Sequence, residues 1–185
     1  MPLVRQYEYG VAVCVLPPTY DDYLKRIEPA GRRNVKKAER LGYVFQQIDY
    51  NRHLDDIREV WNSTDVRQGR PFAIGEVTPC TDPPTRNSLH DYPYFGVLKE
   101  DKLYAYGACL IAGEVSVLET IFGHAARQPD GVVPMLITGI ARELYEKHPK
   151  VRYFMYGTYF GAGETMRRFK TKFGFVPHHV HWELG

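Results

Sequence analysis

Apolar alternation and helical period take turns along this chain, and each switch marks an element. Residues 9 to 16 (Tyr-Gly-Val-Ala-Val-Cys-Val-Leu) read as a buried strand, which Pro17-Pro18 ends. Residues 19 to 27 read as a short helix. Between Gly31 and Gly42 a second helix carries Val35 and Ala38 on one face, while Arg33, Lys36, Lys37 and Arg40 fall at i, i+3, i+4 and i+7 on another. Gly42 can cap it, and Tyr43 to Ile48 then reads as a strand. Residues 53 to 67 read as a helix with Leu54, Ile57, Trp61 and Thr64 on one side. Residues 69 to 93 keep no period and hold Pro71, Pro79, Pro83, Pro84 and Pro93. A loop of that length inside a compact domain is commonly a lid or a binding loop.

Strands dominate next. Tyr94 to Lys99, Leu103 to Ile111 and Val115 to Phe122 are separated by Glu100-Asp101 and Ala112-Gly113-Glu114, which are hairpin-length connections. Val133, Leu136, Ile137, Ile140, Ala141, Leu144 and Tyr145 then hold the 3.6-residue period up to Pro149. A strand from Val151 to Tyr156, a basic helix ending at Gly174 and a last strand from His178 to Leu184 complete the order. On the basic helix Met166, Phe169 and Phe173 form the packing face, leaving Arg167, Arg168, Lys170 and Lys172 mostly outward. A meander followed by a βαβαβ-like unit predicts an α/β (α+β) domain, with a mixed, mostly antiparallel sheet flanked by helices.

The 185 residues suit one domain spanning 1–185, with 1–30 as a first strand and lead-in. Net charge is only +2, so an anionic partner would meet a local patch rather than a polycation. Cys14, Cys80 and Cys109 are odd in number and far apart, which argues against a disulfide framework and against zinc spacing. With no signal-like N-terminus and no apolar run of spanning length, the expectation is a cytoplasmic protein with no membrane partner. His178, His179 and His181 lie close together, but only His179 and His181 share a strand face. With no acidic or thiol cluster beside them, no metal site is expected. Ser88, His90 and Asp91 are near neighbours in a loop, an arrangement that seldom makes a hydrolase triad.

Three segments carry a resemblance. They are Arg32-Arg33-Asn34-Val35-Lys36-Lys37-Ala38-Glu39-Arg40-Leu41-Gly42, the strand pair with Gly96 and Tyr104-Ala105-Tyr106-Gly107, and Tyr156-Gly157 followed by Gly163 and Phe169-Lys170-Thr171-Lys172-Phe173-Gly174-Phe175. In order and spacing they resemble the FemAB/FemX-like branch of the GNAT acyltransferase fold over roughly residues 30–185. The resemblance implies acyl or aminoacyl transfer to an amine of a small-molecule, peptide or nucleotide-linked acceptor. It implies no permanently bound cofactor, with aminoacyl-tRNA or acyl-CoA as co-substrate. In GNAT enzymes the loop before the main helix cradles the donor's pyrophosphate on helix N-terminal N–H groups. Here that stretch is His124 to Val133, so Arg127, Gln128, Gly131 and Val132 are the donor-binding candidates. The loop departs from the acyl-CoA signature at Val133, and Asp130 adds negative charge. Family members commonly have two such units; this chain has room for one.

Acyl transfer needs a held carbonyl, a deprotonated amine, donors for the oxyanion and a proton for the leaving group. The resemblance puts Lys170, four residues before Gly174, where ordinary GNAT enzymes carry a tyrosine acid, and implies that it stabilises an oxyanion or a phosphate. Glu119 alternates with Val117 and Ile121, where burial would raise its pKa toward that of a base. Tyr156 and Tyr159, at or just past a strand end, could donate a proton or simply pack. Arg33, Lys36, Lys37 and Arg40 could contact tRNA or a nucleotide-linked acceptor. Two rival readings stand beside the transferase: an acetyl-CoA-dependent N-acetyltransferase, and a non-catalytic GNAT-like module that binds nucleic acid through the 32–40 segment.

Overall fold

The computed structural model describes residues 10–67, 70–71, 75–80 and 89–179. In chain order the elements are β1 (Val11–Val15), α1 (Tyr20–Arg26), α2 (Pro29–Arg40), β2 (Val44–Ile48), α3 (Leu54–Asn62), β3 (Val66–Arg67), β4 (Arg70–Pro71), β5 (His90–Asp91), β6 (Tyr94–Lys99), β7 (Lys102–Ala112), β8 (Val115–Gly123), α4 (Val132–Lys147), β9 (Tyr153–Thr158), α5 (Glu164–Lys172) and β10 (Val176–His178). Short 3-10 helices at Tyr50–His53 and Ala125–Asp130 precede α3 and α4. Eight of the described strands form one sheet in the order β10-β1-β9-β8-β7-β6-β2, with β5 paired to β7. Neighbours run antiparallel except β8 and β9, which are parallel. This is the mixed, mostly antiparallel sheet that the pattern predicts.

Local chemistry explains most boundaries. Glu100 and Asp101 take φ of 52° and 63°, the two left-handed positions that a two-residue hairpin turn requires. Ser63 closes α3 by donating to the Val60 carbonyl at 2.6 Å, and the Thr64 hydroxyl donates to the Val66 carbonyl at 2.8 Å. Those local bonds stop the helix predicted over 53–67 at Asn62 and turn the chain into β3. Within the aperiodic 69–93 stretch the described residues include β4 and β5. The final strand starts earlier than predicted, at Val176; residues 180–185, including His181, lie outside the described residues, as does Ser88.

Alternate residues of β6 and β7 feed two cores. Phe95, Val97, Ala105 and Cys109 pack with Leu136, Ile137 and Ile140 of α4, and α1 and α2 close over that side. Leu98, Leu103 and Tyr106 pack with Ile57 and Val60 of α3 on the other. Arg32 donates to the carbonyls of Leu24, Lys25 and Ile27 at 3.0, 2.9 and 2.9 Å, capping α1. It therefore belongs to the packing of α1 rather than to the outward basic stripe. No helix among the described residues is long and apolar enough to cross a membrane.

The three thiols are unpaired, and burial pushes those of Cys14 and Cys109 up to about 12. Cys80 is half-buried, its sulfur 3.2 Å from the Tyr94 hydroxyl. A thiol reagent at pH 8 should therefore titrate one group, Cys80, in the native protein, and the other two only after denaturation. Three equal rates would mean that the interior opens readily.

Candidate active site

β8 and β9 pair only at Val115–Tyr153, Ser116–Phe154 and Val117–Met155, yet β8 continues to Gly123 and β9 to Thr158. A bulge on each strand accompanies the split. On β8, Ala108 faces Thr120 while Cys109 faces Leu118, so Glu119 is an extra residue. On β9, Val11 faces Thr158 while Val13 faces Met155, which leaves an extra residue at Tyr156-Gly157, and Gly157 adopts φ +55°. Beyond the split lies a cleft of about 680 Å³, a size typical of small-molecule sites. Trp61 of α3 and Thr64 just past it, Phe122 of β8, Gln128 and Val133 before and within α4, Tyr156 of β9, and Glu164, Thr165, Met166 and Phe169 of α5 contribute to its wall. The cleft sits at the carboxyl ends of the two parallel strands, where open sheets leave a crevice.

Lys170 lies behind this wall. It is only 5% exposed, which corrects its expected outward position: at i+4 from Met166 it shares the packing face of α5. Its ammonium donates to the carbonyls of Tyr156, in the β9 bulge, and of Thr158, just past it, at 2.6 and 2.7 Å. It also lies 4.5 Å from the centre of the Tyr156 ring. It forms no ion pair among the described residues, and burial lowers its pKa to about 8. An ammonium has three donors, so one remains after the two carbonyls are served. Tyr156, 9% exposed, is the ring between that ammonium and the cleft.

The loop before α4 is crowded. Gly131 takes φ +93°, and a Cβ there would lie 2.2 Å from the Asn34 carbonyl oxygen of α2. Lys37 donates to the Pro129 carbonyl at 2.7 Å, and the Tyr43 hydroxyl donates to Asp130 at 2.9 Å. Burial and that hydrogen bond push the Tyr43 hydroxyl up to about 12, so it stays a donor near neutrality. Val132 is fully buried, and the Val133 side chain fills the space over Gly123. Pro134, third in the helix, has no N–H to offer. Of the donor-loop candidates, Gln128 lines the cleft, whereas Arg127 stacks 5.6 Å from the Tyr104 ring and approaches Asp130 at 3.9 Å.

The structure divides the remaining candidates. Arg33, Lys36 and Arg40 line an open groove on α2 together with Glu39, but Lys37 is turned to the loop before α4. Tyr159 shares a hydrogen bond with Thr171 at 3.0 Å and is not part of the cleft wall. Glu119 requires correction. The bulge breaks the alternation with Val117 and Ile121, leaving the carboxylate exposed, outside the cleft wall and accepting from Tyr92 at 2.6 Å. Sequence reasoning missed Glu164, Asn34, Trp61 and Phe122 as cleft residues. Trp61 reads from its spacing as a packing ring. It does pack, 5.4 Å from Phe122, with its indole N–H donating to the Tyr106 hydroxyl at 2.7 Å. Glu164 follows Gly163 at the start of a helix, and nothing in that local pattern points to a cleft.

No family model matches this sequence, and no curated protein matches it. Solved structures share its fold. FemX aligns over 93% of this chain and 61% of its own, with a TM-score of 0.65 at 10% identity. The C-terminal domain of an inferred lysylphosphatidylglycerol synthetase from Agrobacterium fabrum aligns over 92% of this chain and 59% of its own, with a TM-score of 0.60 at 17% identity. A tandem GNAT protein of the clavulanic acid biosynthesis pathway aligns over 91% and 50%, with a TM-score of 0.57 at 11% identity. The chain thus spans between 50% and 61% of the length of these three structures. What they share with it is a GNAT-like fold.

Proposed function

We propose that this chain transfers an acyl or aminoacyl group to an amine in the manner of the FemX-like branch, with an aminoacyl-tRNA ester as donor. The observation that carries the reading is the cleft where β8 and β9 part, backed by a buried ammonium at Lys170 that forms no ion pair among the described residues. In this reading Lys170 holds the β9 bulge and directs positive charge toward the carbonyl oxygen that becomes an oxyanion, while Tyr156 forms the wall against which the donor carbonyl rests. Gln128 orients the donor. Arg33, Lys36 and Arg40 contact RNA phosphates, and an acceptor of small-molecule, peptide or nucleotide-linked type enters beside the 69–93 segment.

The loop before α4 supports an ester donor over a CoA thioester. Pyrophosphate binding at a helix start uses free successive N–H groups and positive dipole charge. Here Pro134 supplies no N–H, the Asn34 carbonyl presses on Gly131, Val133 fills the space over Gly123, and Asp130 brings a carboxylate. The test pairs two measurements. Millimolar acetyl-CoA should leave the thermal midpoint unchanged, whereas a ligand at about 100 times its Kd stabilises by about 2.7 kcal/mol and shifts it by several degrees. Radiolabel on charged tRNA should pass to an amine acceptor in the presence of the protein. A clear shift with acetyl-CoA together with acetyl transfer would replace this donor with CoA.

A further inference from the structure

The cleft has an unusual charge balance. Among the described residues its wall holds four rings (Trp61, Phe122, Tyr156 and Phe169) and one ionised side chain, Glu164, with no lysine, arginine or histidine. The cations of α2 line a different groove, and Lys170 sits behind Tyr156 with its ammonium turned to two carbonyls of β9. Glu164 is exposed, and its carboxylate forms no ion pair or hydrogen bond among the described residues, although Arg167 and Arg168 follow at i+3 and i+4. Ring faces attract cations, and a carboxylate beside them adds a full countercharge. An anionic group would meet the Glu164 carboxylate with no cation among the described wall residues to offset it.

We propose that the cleft binds a protonated amine, with Glu164 as its countercharge and the four rings as its walls. The proposal rests on the transferase reading for its role: the amine belongs either to the aminoacyl donor or to the acceptor. Position alone offers a plainer account of Glu164, because a carboxylate in the first turn of a helix is favoured by the dipole. The two accounts separate in equilibrium binding, since only the first makes the cleft select for charge.

The full chain, labelled with nitrogen-15, is titrated at constant ionic strength with n-butylammonium, with neutral 1-pentanol and with butanoate, and the Trp61 indole N–H is followed; Trp61→Phe assigns its signal. Butylammonium should give a saturable shift, with pentanol about tenfold weaker and butanoate giving none. Glu164→Gln should abolish the preference for ammonium, and Glu164→Asp, which keeps the charge, should retain it. Equal binding of butylammonium and pentanol, or an unchanged preference in a folded Glu164→Gln protein, would overturn the proposal. If charge selection holds and no transfer occurs with any donor, the transferase reading fails alone. If transfer occurs and Glu164→Gln leaves KM for the amine unchanged, the ammonium site fails alone. N-acetylated aminoacyl-tRNA distinguishes the two sources: lost transfer assigns the ammonium to the donor, and retained transfer assigns it to the acceptor.

Discussion

Lys170→Met will lower aminoacyl transfer, by less than the factor of about 10² to 10³ that removing a direct oxyanion donor costs, because the Tyr156 ring lies between the ammonium and the cleft. The variant should remain folded but weakened, because the Tyr156 and Thr158 carbonyls lose their donor. That loss is worth about 1 to 3 kcal/mol, or a fall in midpoint of about 2 to 4 °C per kcal/mol. A purely structural lysine predicts the stability change without the rate change. The pH dependence separates the two further. Burial brings the Lys170 pKa down to about 8 from its ordinary 10.5, so a reaction that needs the ammonium declines as pH rises through 8. Stability moves the other way. Between about 8 and 10.5 the unfolded chain binds more protons at this position than the folded one, and stability therefore rises with pH across that window. Opposite slopes of single-turnover rate and denaturation midpoint, both absent in Lys170→Met, are the expected signature. A rate that is flat to pH 9 would mean that the ammonium charge is not used in the reaction. Lys170→Arg keeps the charge and should lose the alkaline limb of whatever activity it retains.

What could be read ahead of the structure follows from periodicity. The α4 pattern from Val133 to Tyr145 sits inside the observed Val132–Lys147, and the meander of β6, β7 and β8 falls within a residue or two of its expected bounds. Long runs with one buried face leave that imprint because burial repeats with the element's own period. Bulges leave none. Strict alternation predicts an inward Glu119, but β8 holds one residue too many at that position. Charge argues for an outward Lys170, although its spacing from Met166 and Phe173 puts it on the buried face. A lysine reaches that face only because β9 supplies carbonyls, in its bulge and just past it, to receive it. The cleft wall drew Asn34, Trp61, Gln128, Tyr156 and Glu164 from five separate segments of the chain. No window of sequence contains such a set, so only the resemblance to a fold could point to parts of it.

The contact between α2 and the start of α4 is where the fold's stability and the site's shape meet, and Gly131→Ala will show how tightly. An alanine there must hold φ near +93° and place its Cβ 2.2 Å from a backbone oxygen, that of Asn34. The first demand costs about 1 kcal/mol. The second cannot be relieved by a rotamer and requires α2 to move, which also strains the Lys37–Pro129 and Tyr43–Asp130 hydrogen bonds. A total of about 3 kcal/mol or more is expected, a fall of roughly 10 °C in the thermal midpoint. Gly113→Ala is the control. Its φ is +56° and nothing lies within 4 Å of the added carbon, so it carries the conformational cost alone, roughly 3 °C. If the two variants melt together, the close approach at Gly131 is not what holds α2 against the loop. If they separate as expected, the same contact that steadies the helix also keeps the Asn34 carbonyl against the turn where a CoA pyrophosphate would need to sit. Mutations that lengthen that turn should then be the ones that trade stability for room at the helix start.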